Sequence, residues 1–248
     1  MYPRTQYLNQ LIAKKDNRRV KIITGLRRSG KSILLFELYR DWLLAQGVAP
    51  EQIIAIALDG LEVSRYRNPF ELDKYIRDKI VDSKTQYYIF IDEIQFVDEI
   101  PNPFIPNGDA KINFVDLILG LIKLKNVDIY ITGSNSKMLS SDILTQFRDR
   151  GDEIRVYPLS YAEFYNGYSG DKRYAWQAYY TYGGMPLAVS QPTLEEKSRY
   201  LKNLFDQTYI KDVLERHQIK NDTSVLDTLL DILASSMFVS DKIVNFRS

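Results

Sequence analysis

The chain has 248 residues, 45% of them apolar, with 33 basic against 32 acidic side chains and no cysteine. That length suits one large domain or two small ones with a full core. The missing cysteines exclude disulfides and thiolate metal sites, and the balanced charge carries no strongly basic signature of a nucleic-acid partner. No apolar run is long enough to span a bilayer, and the N-terminus lacks a charged-then-apolar export pattern, so a cytoplasmic protein with no membrane partner is expected.

Elements follow in chain order. Val20–Thr24 (VKIIT), a β-branched run before a glycine, predicts a buried strand. Residues 32–45 (SILLFELYRDWLLA) carry helical periodicity and end near Gly47. Residues 53–58 (IIAIAL) predict a second strand, 69–81 a helix with Pro69 in its first turn, and 87–91 (YYIFI) a third strand. Residues 98–109, with three prolines and a glycine, predict an irregular loop. A helix over 112–125, a fourth strand over 127–132 (VDIYIT) and a fifth over 153–157 (EIRVY) follow. Strands apolar on both faces, alternating with helices, predict an α/β fold with a five-stranded parallel sheet covered on each side. After Pro158 the strand signal stops, and 161–165, 174–181, 194–215 and 223–235 read as helices. The expected organisation is an α/β domain over 1–160, a helical lid over 161–220 and a third segment over 221–248.

Gly25-Leu26-Arg27-Arg28-Ser29-Gly30-Lys31-Ser32 matches G-x-x-x-x-G-K-[ST] at every fixed position, between a strand and a helix. Glycines let the backbone turn its N–H groups inward as an anion nest, and the helix N-terminus, with Ile33 behind Ser32, adds positive charge. Lys31 reaches the β- and γ-phosphates of a nucleotide and the Ser32 hydroxyl takes Mg²⁺. Arg27 and Arg28 either attract the triphosphate or sit in solvent. No Asn-Lys-x-Asp guanine motif occurs, which favours ATP.

The third strand ends in Asp92 and Glu93. In a parallel sheet its C-terminus faces the same edge as the phosphate loop, so Asp92 is expected to face the magnesium and Glu93 to act as base for an attacking water. A strand, 53–58, lies between the two motif strands in sequence, which fits the NTPases that insert a strand and use a glutamate beside the Walker B aspartate. After the fourth strand, Ser134 or Asn135 is expected to contact the γ-phosphate or the water, unless this stretch is only a loop with Ser136 or Asn135 capping the next helix. In 146–151 (QFRDRG), Arg150 or Arg148 is a candidate arginine finger for a neighbouring subunit of a homo-oligomer, or a surface cation paired with Asp149 or Asp152. His217, the one histidine, reads as a surface or helix-end residue, which disfavours a metalloenzyme.

GLRRSGKS, FIDEIQ, ITGSNSKML, FRDRGDEIRVYPLS followed by AEF, and YGGMP together resemble one group: bacterial and archaeal AAA-type ATPases whose longer members carry a winged-helix segment and a nuclease-like C-terminal domain. The resemblance implies ATP–Mg²⁺ binding and slow hydrolysis, with Lys31 and Ser32 on phosphate and metal, Asp92 and Glu93 as Walker B, and Ser134 or Asn135 as sensor. It places Gly183-Gly184-Met185-Pro186 in the lid, and Arg4 and Tyr7-Leu8 in a segment near the nucleotide base. Residues 239–243 (VSDKI) look like the second helix of a helix-turn-helix, so a longer protein is expected, and nucleic-acid binding only through a region beyond Ser248. Two functions remain open: an ATPase coupling hydrolysis to lid or subunit movement, and a nucleotide-gated interaction module with negligible turnover. A small-molecule phosphotransferase is weaker, because Glu93 argues against it.

Overall fold

The computed structural model describes residues 2–105, 110–133, 145–147 and 150–206, with isolated positions 228, 231, 232 and 235. The chain divides into two compact units, Met1–Lys202 and Asn203–Ser248. In the second unit Ser235 Oγ donates to Asp231 O at 2.7 Å. The fold below is that of the first unit.

Helix α1, Thr5–Lys14, opens the chain and buries Tyr7 and Leu11, one turn apart. Strand β1 is Val20–Thr24. Helix α2 covers 31–45 and winds as a π-helix over Leu34–Tyr39. Then come β2 Ile53–Ala57, α3 Pro69–Lys79 and β3 Tyr87–Asp92. The proline-rich loop is closed by a two-residue antiparallel pair, β4 Ile100–Pro101 with β5 Lys111–Ile112. Helix α4 is Phe114–Leu121, β6 is Val127–Thr132 and β7 is Gly151–Arg155. The chain continues as α5 Tyr161–Gly167, α6 Ala175–Tyr182, α7 Pro186–Ser190 and α8 Leu194–Leu204.

The five long strands form one sheet in the order β2-β3-β6-β1-β7, with every pairing parallel. Strands β1, β3 and β6 are buried at every position. Alternate residues of each strand feed opposite faces. Ile22, Ile89, Ile91, Ile129 and Ile131 pack with Leu72 and Ile76 of α3 and Leu117 and Leu121 of α4. Ile23, Phe90, Tyr130 and Ile154 pack on the other face with Leu11 of α1 and Leu34, Tyr39 and Leu43 of α2.

Two expected elements start two residues from the expected position, each for a local reason, and the helices expected to run to 81 and 125 end at Lys79 and Leu121. The last strand begins and ends two residues earlier than expected, because β1 ends at Thr24: the Val156 N–H bonds Thr24 O at 2.8 Å and the ladder has no partner beyond it. The helix expected from residue 112 starts at Phe114, because the Asn113 side chain accepts from Val115 N–H at 2.8 Å as its N-cap while Ile112 belongs to β5. Among the described residues no helix is long and apolar enough to cross a membrane.

The face toward α2 carries a polar cluster in the core. Lys21 and Asp128, both fully buried, form an ion pair across β1 and β6. Tyr130 Oη donates to Asp128 at 2.7 Å, the Tyr39 hydroxyl lies 2.5 Å from that of Tyr130, and the Asp16 N–H reaches Asp128 at 2.8 Å. Burial holds the Tyr39 and Tyr130 hydroxyls in the neutral form far above the usual phenol range.

Candidate functional site

Two glycines shape the loop after β1, for different reasons. Gly25 has φ +140, and a Cβ there would fall 2.1 Å from Val156 O, so both angle and space demand glycine. Gly30 has φ +98, and a Cβ there would meet only Pro186 Cγ at an ordinary 4.0 Å, so its requirement is the backbone angle alone. Arg28 also adopts a left-handed conformation, φ 64. The Ser29 hydroxyl is buried inside this loop and meets no hydrogen-bond partner among the described residues, which suits an anion arriving with acceptor oxygens. Lys31 is 4% exposed, and its ammonium donates to Gly25 O and Leu26 O at 3.0 Å each. Burial pulls its pKa down, against the opposing pull of Glu93 and Asp92. A group that is costly to keep charged when bound only to neutral carbonyls gains most from an anionic partner.

β2 intervenes between the two motif strands in sequence, but it lies at the sheet edge; the strand between them in space is β6. That placement brings in Thr132, which ends β6. Its hydroxyl donates to Asp92 Oδ1 and accepts the Glu93 N–H at 3.3 Å. Asp92 is 7% exposed. Glu93 is held at φ 52, in the left-handed region, and Gln95 Nε2 donates to its Oε2. A left-handed non-glycine costs about 1 kcal/mol or more, and Glu93 lines the same cavity as Lys31.

The C-terminal half of the loop and Glu93 share one cavity of about 400 Å³. Arg28, Gly30, Lys31, Ser32 and Ile33 line it from one side, Glu93 from just after β3, Leu159 from the link between β7 and α5, and Pro186 and Leu187 from α7. Tyr2 and Arg4 complete the wall. A mixed lining, polar toward Lys31 and apolar toward Ile33 and Pro186, suits a ligand with an anionic end and a flat apolar end. Ser32 and Asp92 carry oxygen atoms of the kind that a hard divalent cation prefers. Leu26 and Ile33 are about two-fifths exposed at 42% and 41%, and Arg27 and Arg28 are exposed.

The remaining expected site residues fall elsewhere. Ser134, Asn135, Arg148 and His217 lie outside the described residues, as does 239–243. Arg150 is exposed, and its carbonyl accepts from Val20 N–H at 2.8 Å. It therefore sits at the start of β1, on the sheet edge opposite the phosphate loop, a strand's length of roughly 16 Å away. It cannot serve the cavity of its own chain. Thr132 and Gln95 were not singled out by the sequence. A threonine closing a β-branched strand looks like an ordinary strand former, and Gln95 lies in FIDEIQ with no spacing rule to mark it.

The sequence profile described as an AAA domain matches residues 17–165. The chain belongs to the AAA domain family. A second profile, described as a domain of unknown function, matches residues 173–248. An uncharacterized protein of Haemophilus influenzae is 35% identical over 244 residues, covering 96% of this chain and 56% of that protein. One from Methanocaldococcus jannaschii is 28% identical over 245 residues, covering 92% of this chain and 49% of its own length. The chain thus spans about half the length of these relatives. Among solved structures, the Walker-type ATPase of Pyrococcus abyssi superposes with a TM-score of 0.51 at 18% identity, over 95% of this chain and 76% of that one. The AAA domain of this chain therefore shares the P-loop ATPase fold.

Proposed function

We propose that this AAA domain binds ATP with Mg²⁺ in the cavity described above and hydrolyses it. The carrying observation is that Lys31 and Ser32 from the phosphate loop and Glu93 from just after β3 line one cavity. Lys31 exchanges its two backbone carbonyls for the β- and γ-phosphates, whose negative charge offsets the burial that disfavours its ammonium. Backbone N–H groups from Gly25 to Ile33 surround the phosphates. Ser32 and Asp92 would hold a magnesium ion, which would supply positive charge beside the phosphate oxygens. Thr132 fixes the Asp92 carboxylate and the Glu93 backbone through one hydroxyl.

Glu93 accepts the proton of a water whose oxygen attacks the γ-phosphorus. The bond from that phosphorus to the β–γ bridging oxygen breaks, and ADP and inorganic phosphate leave. Ser134 or Asn135 would touch the γ-phosphate from the loop after β6. Arg150, on the far sheet edge, acts on a neighbouring copy in a homo-oligomer, and nucleotide turnover then moves lid or subunits. Binding of a fluorescent ATP analogue tests the site: wild type should bind with Mg²⁺ and Lys31→Ala should lose most of that affinity. Equal affinity in both proteins refutes the reading.

The hydrogen bond from Gln95 to the Glu93 carboxylate favours a second reading, in which this base is held back and the domain is a nucleotide-gated interaction module. Turnover at rising protein concentration separates the two. Specific activity that climbs with assembly supports the ATPase, and a flat trace near zero supports the module.

A further inference from the structure

A buried arginine joins the phosphate loop to the helices that close the cavity. Arg4 is 4% exposed and stands at φ 46, just before α1. Its Nη1 donates to Ser29 O of the phosphate loop at 3.3 Å. Its Nη2 donates to Tyr157 O, where the chain leaves β7, at 2.5 Å. Its Nε lies 3.2 Å from Glu163 Oε1 on α5, an ionic contact whose angle falls short of a hydrogen bond. The guanidinium also stacks on Tyr7, 4.7 Å from the ring centre. One rigid planar cation thus touches three parts of the chain that meet around the cavity.

The segment it grips, residues 156–159, is held from three further directions. The Tyr157 N–H donates to Tyr7 Oη at 3.2 Å. Val156 O fits against the bare Cα of Gly25, where a Cβ would be 2.1 Å away. Leu159 O fits in the same way against Gly184, also 2.1 Å from a Cβ there, and the Leu159 N–H bonds Gly184 O at 2.7 Å. Backbone packed on backbone has no side chain to absorb a shift, so a displacement of the phosphate loop is passed to 156–159 and on to the Gly183–Pro186 turn.

Glu163 divides its two oxygens between two tasks. Oε2 accepts from the Ser160 N–H at 2.8 Å and closes the capping box of α5, while Oε1 faces Arg4. We propose that Arg4 and Glu163 form a latch that couples the nucleotide-bound state of the phosphate loop to the position of the lid helices α5–α7. The proposal rests on the nucleotide reading of the cavity. When phosphate draws the loop inward, Ser29 O moves with it, and Arg4 pulls on Tyr157 and α5. Arg4 and Glu163 are positioning residues: the ion pair carries the motion and takes no part in bond breaking.

Glu163→Gln tests the latch, because glutamine also closes a capping box but carries no charge. Hydrogen exchange is measured on the full chain of wild type and variant, with and without a non-hydrolysable ATP analogue and Mg²⁺. Thermal melts of the free proteins confirm folding. In wild type the analogue should slow exchange in residues 25–34 and also in 161–190. In Glu163→Gln the slowing at 25–34 should persist, with analogue affinity within about threefold, while slowing at 161–190 is lost. Arg4→Lys, which keeps the charge but cannot reach three partners, should also lose the slowing at 161–190; because Arg4 lines the cavity, the comparison of analogue affinity is made on Glu163→Gln alone. Equal slowing at 161–190 in wild type and both variants overturns the latch. No slowing at 25–34 in wild type overturns the nucleotide reading, and the latch with it.

Discussion

Thr132 is the most exacting place to test the proposed site, because one hydroxyl contacts both the Asp92 carboxylate and the Glu93 backbone. Thr132→Val keeps the shape and the β-branch but removes the donor to Asp92 Oδ1 and the acceptor for the Glu93 N–H. A hydrogen bond to a charged group contributes about 1.5–3 kcal/mol, and Asp92 is 7% exposed, so water replaces it poorly. The left-handed Glu93 also loses the contact that helps hold its strained backbone. If about 2 kcal/mol of that is lost from the transition state, turnover falls roughly 30-fold. The affinity for a non-hydrolysable analogue should change less than about threefold, because the phosphate loop supplies most of the binding. Thr132→Ser keeps the hydroxyl and should retain at least about a third of wild-type turnover, measured by phosphate release at saturating ATP. Wild-type turnover in Thr132→Val would refute the placement of Thr132 between Asp92 and Glu93.

Three further substitutions probe the frame. Gly184→Ala puts a Cβ 2.1 Å from Leu159 O, a backbone atom that cannot swing away. It should cost about 1–3 kcal/mol and lower the melting temperature by several degrees, whereas Gly120→Ala, in α4 with nothing within 4 Å, should stabilise by about 0.5–1 kcal/mol. Tyr39→Phe removes a hydroxyl bonded to Tyr130 and should cost about 1 kcal/mol at neutral pH. Because burial raises the folded-state pKa of Tyr39 above its unfolded value of 10.0, its neutral form stabilises fully below pH 10 and less as pH rises past it. Denaturant titrations from pH 9 to 11 should therefore show a shallower alkaline loss in Tyr39→Phe than in wild type, by up to about 1.4 kcal/mol per pH unit.

The sheet and the phosphate loop were legible because their signals are local. A β-branched strand, glycines at fixed spacing and a periodic helix leave few alternatives, and Asp92 and Glu93 gain meaning from that loop. What the sequence hid was spatial order. β2 follows the loop in the chain yet takes the edge, and β6 brings Thr132 to Asp92. The same limit hid α1 and the grip of Arg4. Its partners Ser29, Tyr157 and Glu163 are scattered along the chain, and no periodicity links them. The shift of β7 had a tertiary cause as well: residues 156–157 are good strand formers, but β1 stops and offers them no ladder.

The central claim is that Glu93 turns a nucleotide-binding loop into a water-activating site. Glu93→Gln and wild type should be compared side by side for equilibrium ATP binding and for phosphate release, at protein concentrations high enough to permit assembly. The account predicts ATP affinity within about threefold of wild type and at least a hundredfold less phosphate release, as expected for loss of a general base. Equal release from the two proteins would contradict it.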